Sequence, residues 1–291
     1  MMNCKKSIGE HTFDVFNVTF ISIFLLLCLY PFIYIFNTSI SSATSAAAYG
    51  LHILPKGPTF KYYLQVFKSD AIFIGIGNSV FRTVIGTSLM LLFTIMGAYP
   101  LSKKHFPNRK FWTTLVVITM FFDGGLIPNY FLVRSLHLTE TRWAMILPGL
   151  VNTFYVLVMR NFMMTIPENL EESAKIDGAN EIVILARIIL PVCKPVIATI
   201  ALWAAVWHWN AWFDCLIYTT KSSLTVLQLV LYHVVNAGSD QIVTGSLLKD
   251  VPYPETIKSC TIIITILPIV MVYPFVQKYF IKGILLGSIK G

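Results

Sequence analysis

The sequence predicts an all-α membrane protein with six transmembrane helices, and three observations lead to that prediction. Of the 291 residues, 56% are hydrophobic and only 12% are charged, whereas about a quarter of the residues in an ordinary soluble domain are charged. The mean hydropathy is +0.70. The apolar residues also fall in long runs, each close to the roughly 20 residues that a helix needs to cross a bilayer. This composition excludes a disordered chain and a small disulfide-linked secreted module.

The predicted spans belong to one transmembrane domain that covers residues 1–291. They lie at residues 13–40, 79–101, 111–128, 143–164, 195–218 and 259–280. The first run also has some features of a signal peptide, since Lys5 and Lys6 precede it and Ala46–Ala48 follow it. However, it is longer than the apolar region of about 7–15 residues in a signal peptide, and the alanines lie well beyond its end. We therefore favour an uncleaved first span.

The basic residues predict that both termini lie in the cytoplasm. In that orientation 13 of the 22 Lys and Arg residues fall in cytoplasmic segments, eight fall in outer segments, and Arg82 lies within the second span. An excess of Lys and Arg on the cytoplasmic side is the usual rule for membrane proteins. The net charge of +8 is explained in the same way, so no nucleic-acid partner is expected. The five cysteines show no spacing typical of a metal site or a disulfide framework.

One predicted cytoplasmic loop, residues 165–195 between the fourth and fifth spans, differs from the others. It contains five of the 14 acidic residues of the chain. Pro167 suits a first helical turn, the following glutamates favour the positive end of the helix dipole, and Gly178 is placed to end the helix in a left-handed turn. A second short helix then leads to Pro191. On pattern alone, this helix–turn–helix is either an amphipathic anchor at the membrane surface or an element that contacts a partner.

The residue spacing in this loop resembles the EAA loop of binding-protein-dependent ABC importer permeases. That family has E-A-A, three residues, glycine, nine residues, then isoleucine, one residue and leucine-proline. The matching residues are Glu172-Ser173-Ala174, Gly178, Ile188, Leu190 and Pro191, with Asp177 and Ala179 completing a frequent D-G-A. Ser173 in place of alanine is the one departure. The resemblance implies that this loop is a coupling helix, which docks on an ATP-binding subunit whose basic groups pair with its acidic side chains. The residues implied are Glu171, Glu172, Ser173, Ala174, Asp177, Gly178, Ala179, Ile188, Leu190 and Pro191.

Three further stretches extend the resemblance over most of the chain. They are residues 124–136, residues 208–213, and the tail 273–283 with the terminal Lys290-Gly291. They are most similar to the maltose-type second permease and to its oligosaccharide and polysaccharide subgroup. The resemblance implies a type I ABC importer permease in a bacterial plasma membrane, surrounded by lipid, which imports oligosaccharides. It also implies three partners: a homologous second permease, a dimer of ATP-binding subunits, and an extracellular lipid-anchored or periplasmic solute-binding protein.

Two other functional classes find less support in the sequence. An ion-coupled secondary transporter of a small polar solute is the main alternative, but that class tends to have internal repeats and buried acidic relays, and only Asp123 and Asp214 are candidates. The sequence contains no HExxH, GxSxG or GxxxxGK[ST] motif, so we do not expect an enzyme. No cofactor is therefore expected on this chain, and the implied ATP and Mg²⁺ belong to the partner subunits.

Polar and aromatic residues within the spans are candidates for the substrate path, because aromatic rings stack on sugars and amides bond their hydroxyl groups. The candidates are Asp123, Trp209, Asn210 and Trp212. The alternatives are a structural cap for Asp123 and an interfacial aromatic belt for the tryptophans.

Other residues in or beside the spans have simpler interpretations. For Arg82 we favour a side chain that extends to the membrane interface, and for Asn152 a hydrogen bond to a neighbouring helix. His208 is interpreted as a packed histidine. Residues 224–234 have helical apolar spacing, which favours an amphipathic helix seated on the outer membrane surface.

Overall fold

The computed structural model describes residues 8–236 and 255–288, with side chains described for residues 9–236, 255–272 and 274. Within these ranges the chain forms only helices and turns. Lys290 and Gly291, on which part of the family resemblance rests, lie outside the described residues.

The helices are numbered in the order in which they follow one another along the chain. The first four are α1 (Ile8–Ser39), α2 (Ala43–Ala46), α3 (Lys61–Val66) and α4 (Asp70–Ser102). The next four are α5 (Arg109–Phe121), α6 (Leu126–Ser135), α7 (Thr153–Met163) and α8 (Asn169–Ile176). A π-helical turn, Leu185–Ile189, joins α9 (Glu181–Ile184) to α10 (Leu190–Val192). The last four are α11 (Lys194–Asn210), α12 (Phe213–Tyr218), α13 (Leu227–Asn236) and α14 (Glu255–Ser288).

Three helices in the described part of the chain are long and apolar enough to cross a membrane by themselves: α1, α4 and the first part of α14. Two bent pairs qualify when each is taken as one span, namely α5 with α6, bent by 110°, and residues 181–192 with α11, bent by 82°. Length and composition therefore support up to five spans among the described residues, and the number six stays a prediction.

The predicted third, fourth and fifth spans are not continuous helices. The third breaks between α5 and α6, where Gly125 has a φ of 82° that favours glycine. The fourth contains a 3₁₀ turn, Arg142–Met145, and a connection before α7, so only 11 residues of it form an α-helix. The fifth breaks after α11 at Ala211 and Trp212. Hydropathy alone cannot locate these breaks, because each lies within an apolar stretch.

The chain divides into two compact units. One unit comprises residues 70–232 and 267–291, and its core lies where α4, α7 and α11 meet. Fully buried side chains there include Ala98, Met159 and Ile200. His208, also buried, faces α4 at Gly86, where a Cβ would lie only 2.5 Å from the imidazole. The predicted packing of His208 is therefore confirmed.

The other unit comprises residues 1–69 and 233–266. Asn37, near the end of α1, donates hydrogen bonds to the carbonyl oxygens of His52 and Ile53, at 2.9 and 2.6 Å. The Cys260 thiol of α14 donates to the carbonyl oxygen of Ser39 at 3.2 Å. These bonds satisfy polar groups that would otherwise be buried without a partner. No residue in the most apolar part of α1 is buried.

The helix predicted in residues 224–234 exists as α13, but its predicted seat on the membrane surface is wrong. Leu227 is completely buried, and its N–H donates to Ser79 Oγ of α4 at 2.9 Å. Asn78 of α4 donates to the carbonyl oxygens of Ser223 and Thr225 at 2.9 and 3.0 Å. The apolar side of this segment therefore packs on protein. An amphipathic pattern is equally compatible with burial against other helices and with a seat on the membrane.

Candidate functional site

The predicted coupling loop forms a helix that ends in a glycine turn. Gly178 has a φ of 84°, its N–H donates to the carbonyl oxygen of Lys175 at 3.0 Å, and the N–H of Ala179 donates to that of Ala174 at 2.9 Å. These two bonds and the left-handed glycine define a Schellman motif, which satisfies the free carbonyl groups of a helix end. The predicted end of α8 at Gly178 is confirmed, whereas α8 begins at Asn169, two residues after Pro167.

The second half of the loop is anchored in the core of the protein. The Asn180 side chain caps α9 by accepting a hydrogen bond from the N–H of Val183 at 2.9 Å. Ile184, Ile189 and Cys193 are then fully buried. Ile184 and Ile189 are five positions apart, which matches the wider π-helical turn at Leu185–Ile189. The interpretation of the loop as a mere membrane-surface anchor is therefore wrong.

The opposite side of the loop is open to solvent. Of the residues implied by the family resemblance, Glu172, Ser173, Asp177, Gly178 and Pro191 are exposed, and Glu171, Ala174, Ala179, Ile188 and Leu190 are half-buried. The most exposed apolar side chains lie on either side of the glycine turn: Ile176 is 86% exposed and Ile182 is 77% exposed. Ile176 was not singled out from the sequence, although an isoleucine among polar residues next to Gly178 is a readable signal.

Three acidic side chains of the loop are paired within the chain, contrary to the expectation that they serve a partner. Glu171 forms an ion pair with Lys103, Glu168 pairs with Lys104 at 3.1 Å, and Glu181 pairs with Lys175 at 2.7 Å. Hydrogen bonding to the Glu181 carboxylate raises the pKa of Lys175. The two lysines at 103 and 104 are distant in sequence, so their pairing was not evident from the loop itself.

A cavity of about 670 Å³ lies along one face of α11. Its lining includes Trp203, Trp207 and Asn210 of α11 and Tyr155 of α7. The rings of Tyr155 and Trp203 are stacked, with centroids 5.9 Å apart. A smaller cavity of about 310 Å³ shares Trp207 and Asn210 and adds residues at the α11–α12 break. Trp203 and Trp207 were not predicted, although they share a helical face with Asn210.

The four predicted path residues have different positions. Asn210 lines both cavities, and Trp212 lines the smaller one while stacking on Tyr232 with centroids 4.2 Å apart. Trp209 is only 6% exposed and is not among the residues that line either cavity, and its assignment to the path stays a prediction. Asp123 lies at the α5–α6 break, where its Oδ1 accepts hydrogen bonds from the Gly125 N–H at 3.1 Å and the Asn129 amide at 3.2 Å. It therefore has the structural capping role.

The prediction that Arg82 extends to the membrane interface is wrong. Arg82 is 1% exposed and forms a forked ion pair with Asp214 at the start of α12, with one of the two contacts at 2.8 Å. The same guanidinium donates to the carbonyl oxygen of Ala211 at 3.2 Å. An arginine is stable at this depth because its charge is paired and hydrogen-bonded. Asp214, a candidate relay for the ion-coupled alternative, is engaged in this pair.

Asn152 also differs from its prediction. Its side chain accepts a hydrogen bond from the N–H of Tyr155 at 3.3 Å and caps α7. It serves the end of its own helix and not a neighbouring helix, because α7 starts ten residues later than the predicted span.

Sequence comparisons identify a family and related proteins. Residues 110–286 match the family described as binding-protein-dependent transport system inner membrane component. Protein LplC of Bacillus subtilis (strain 168) is 42% identical over 280 residues, which cover 96% of this chain and 95% of that protein. The polygalacturonan/rhamnogalacturonan transport system permease protein YtcP of the same organism is 38% identical over 283 residues, covering 96% of this chain and 98% of that protein.

A solved structure is similar over almost the whole chain. It is a chain from the crystal structure of a bacterial ABC transporter involved in the import of the acidic polysaccharide alginate. The TM-score is 0.87 and the sequence identity is 33%, with 96% of this chain and 100% of that chain covered. The fold is that of a type I importer permease in the membrane. The chain therefore belongs to the family of inner-membrane components of binding-protein-dependent transport systems.

Proposed function

We propose that this chain is a permease subunit of an ATP-driven oligosaccharide importer. It works beside a homologous second permease, receives substrate from an extracellular lipid-anchored or periplasmic binding protein, and is driven by a dimer of ATP-binding subunits. One relative is named as a polygalacturonan/rhamnogalacturonan transport system permease, and the similar solved structure is of a transporter involved in the import of the acidic polysaccharide alginate. ATP and Mg²⁺ bind to the partner subunits, and this chain has no enzymatic activity of its own.

The exposed glycine turn of the coupling loop is the observation that carries this proposal. Ile176 and Ile182 place bare apolar surface on a cytoplasmic segment whose second half is fixed in the core. Burial of an isoleucine side chain is favourable by about 1.5–3 kcal/mol relative to leaving it in water. Burial of both side chains in a cleft of a partner subunit would therefore stabilise the complex. A stiff helix end is also suited to transmitting movement, because it keeps its shape when the partner moves.

Ile176→Glu tests this docking role in the reconstituted complex. A buried charge would oppose docking, so we expect loss of substrate-stimulated ATP hydrolysis and weaker association with the ATP-binding subunits. Thr165→Glu is the matched control, because Thr165 is exposed in the same loop and the variant adds the same charge. Association and stimulation that remain normal in Ile176→Glu would remove this surface from the interface.

We propose further that the cavity along α11 contributes to the sugar path. Among the described residues, the lining of the larger cavity carries no charged side chain. Its tryptophans suit the apolar faces of sugar rings, while Asn210 offers an amide beside them. The path residues proposed here are Trp203, Trp207 and Asn210, with Trp212 at the edge. Small-molecule sites are commonly lined by aromatic rings, and a few polar groups fix the orientation of the ligand.

Trp207→Ala tests the sugar path. We expect a lower uptake rate with unchanged complex assembly and unchanged basal ATP hydrolysis. Trp112→Ala is the control, because Trp112 of α5 is similarly exposed but lies away from both cavities. Normal uptake in Trp207→Ala would exclude a direct contact between this ring and the substrate.

The proposed orientation places both termini and the coupling loop in the cytoplasm. The basic stretch 103–110 and the loop 165–195 then share one side of the membrane. Their mutual ion pairs support this arrangement. Single cysteines introduced near each terminus and at Thr165 should all resist labelling by an impermeant reagent in intact cells. Labelling of any one of these sites in intact cells would contradict the proposed topology.

A further inference from the structure

We propose that α4 transmits the movement of the coupling loop to the membrane cavity through two charged contacts, one directly after its cytoplasmic end and one within the helix. Lys103 is the positioning residue at the cytoplasmic end, and Arg82 is the positioning residue beside the cavity. This inference rests on the proposed coupling function, since it concerns how the chain passes on the movement of an ATP-binding partner.

The cytoplasmic contact joins the end of α4 to both halves of the coupling loop. Lys103, directly after α4, forms an ion pair with Glu171 of α8 and lies over the ring of Tyr99, with its Nζ 4.2 Å from the ring centroid. The Tyr99 hydroxyl donates to Glu181 Oε2 of α9 at 2.7 Å. Tyr99 and Lys103, four positions apart at the cytoplasmic end of α4, thus contact both α8 and α9. These two helices lie on opposite sides of the glycine turn.

Burial distinguishes this contact from an ordinary surface ion pair. The side chains of Lys103 and Glu171 are only 12% and 14% exposed, whereas those of the adjacent pair Lys104 and Glu168 are 74% and 57% exposed. Exposed pairs contribute little because water and salt screen them. A shielded pair is screened less, and separating its two charges costs more. The Lys103–Glu171 pair can therefore hold the loop to α4 during movement.

The second contact joins α4 to the break between α11 and α12. Arg82 binds the Ala211 carbonyl oxygen and the Asp214 carboxylate, one on each side of Trp212. Its guanidinium carbon also lies 5.7 Å from the centroid of the Trp207 ring, which lines both cavities. A displacement of Arg82 would therefore move the backbone at the break and a wall of the cavity together.

One helix connects the two contacts. Residues 82 and 103 are 21 positions apart in or next to α4, a distance of about 30 Å at 1.5 Å per residue. α4 packs against α11 along this length, and His208 approaches its backbone closely. Energetic coupling over such distances requires rigid elements and packed side chains, and α4 supplies both.

The cytoplasmic contact is tested by variants of Lys103 in the reconstituted complex with the binding protein. Lys103→Met should reduce the stimulation of ATP hydrolysis by loaded binding protein about fivefold or more, while complex assembly and basal hydrolysis stay at wild-type values. Lys103→Arg should retain stimulation, and so should the matched control Lys104→Met in the exposed pair. Exchanging the charges, with Lys103→Glu and Glu171→Lys combined, should recover part of the stimulation that Lys103→Glu alone removes.

The results separate this inference from the proposed function. If the wild-type complex shows no stimulation by loaded binding protein, the proposed function itself fails. If the wild type is stimulated and Lys103→Met is stimulated equally, or if Lys104→Met loses as much as Lys103→Met, the role of Lys103 is overturned.

The contact at Arg82 is tested by combination. Arg82→Lys keeps the charge but loses the forked contact with Asp214, and it should lower stimulation by itself in a complex that still assembles. If both contacts act through α4, the double variant Arg82→Lys with Lys103→Met should lose no more than the stronger single variant. Losses that multiply would show two independent effects and would overturn the role of α4 as the connection.

Discussion

The close approach of α11 to α4 at Gly86 leads to a prediction about helix packing. A Cβ at this position would lie 2.5 Å from Cε1 and Nε2 of His208 and 2.9 Å from Cδ2, against an optimum of about 3.5–4.0 Å for such contacts. Gly86→Ala therefore requires a shift of about 1 Å, and the imidazole is buried. Overpacking of this kind costs about 1–3 kcal/mol, whereas replacing glycine by alanine within a helix contributes about 0.5–1 kcal/mol in the other direction.

We expect a net loss of stability, measured as a lower midpoint temperature of unfolding for the purified protein in detergent. His208→Ala should remove the clash, so the double variant Gly86→Ala with His208→Ala should be more stable than His208→Ala alone. Gly77→Ala is the control, because a Cβ at Gly77 of the same helix meets no atom within 4 Å. Equal destabilisation by Gly86→Ala in the presence and absence of the imidazole would refute the steric reasoning.

Three further predictions concern single elements. Gly178→Val adds a β-branched side chain at a φ of 84°, which costs about 1–2 kcal/mol, so substrate-stimulated ATP hydrolysis should be lost while membrane insertion persists; retained stimulation would contradict the role of the turn. Asn152→Ala removes the cap of α7 and should cost about 1 kcal/mol in an unfolding assay, with Asn152→Asp close to wild type. Arg82→Met leaves Asp214 without its cation and should lower the yield of folded protein, and Asp214→Leu in the same chain should restore part of it. A yield equal to wild type for Arg82→Met would show that the pair does not stabilise the fold.

The features predicted well from the sequence are those with local causes. Apolar composition indicates the membrane, and the end of α8 depends on Gly178 and its immediate neighbours. Each of these depends on residues that are close along the chain, where propensity and spacing are informative.

The features that escaped prediction depend on contacts between distant residues. Arg82 and Asp214 are 132 residues apart, and Lys103 and Glu171 are 68 apart, so neither pair is visible in a local pattern. Trp203 and Trp207, which line the larger cavity, escaped prediction for a related reason. When a helix is apolar on all sides, hydropathy does not indicate which side faces the cavity, and packing against α4 and α7 decides it.

The π-helical turn at Leu185–Ile189 determines the rotational phase of the coupling loop. Successive residues of an α-helix are about 100° apart around its axis, at 3.6 residues per turn. The wider turn accommodates one residue more than an α-helical turn between the buried Ile184 and Ile189. A regular α-helix through the same residues would carry Ile184 about 100° away from the core face that Ile189 occupies. The direction in which Ile176 and Ile182 point thus depends on the wider turn within the core, far from the surface on which they are displayed.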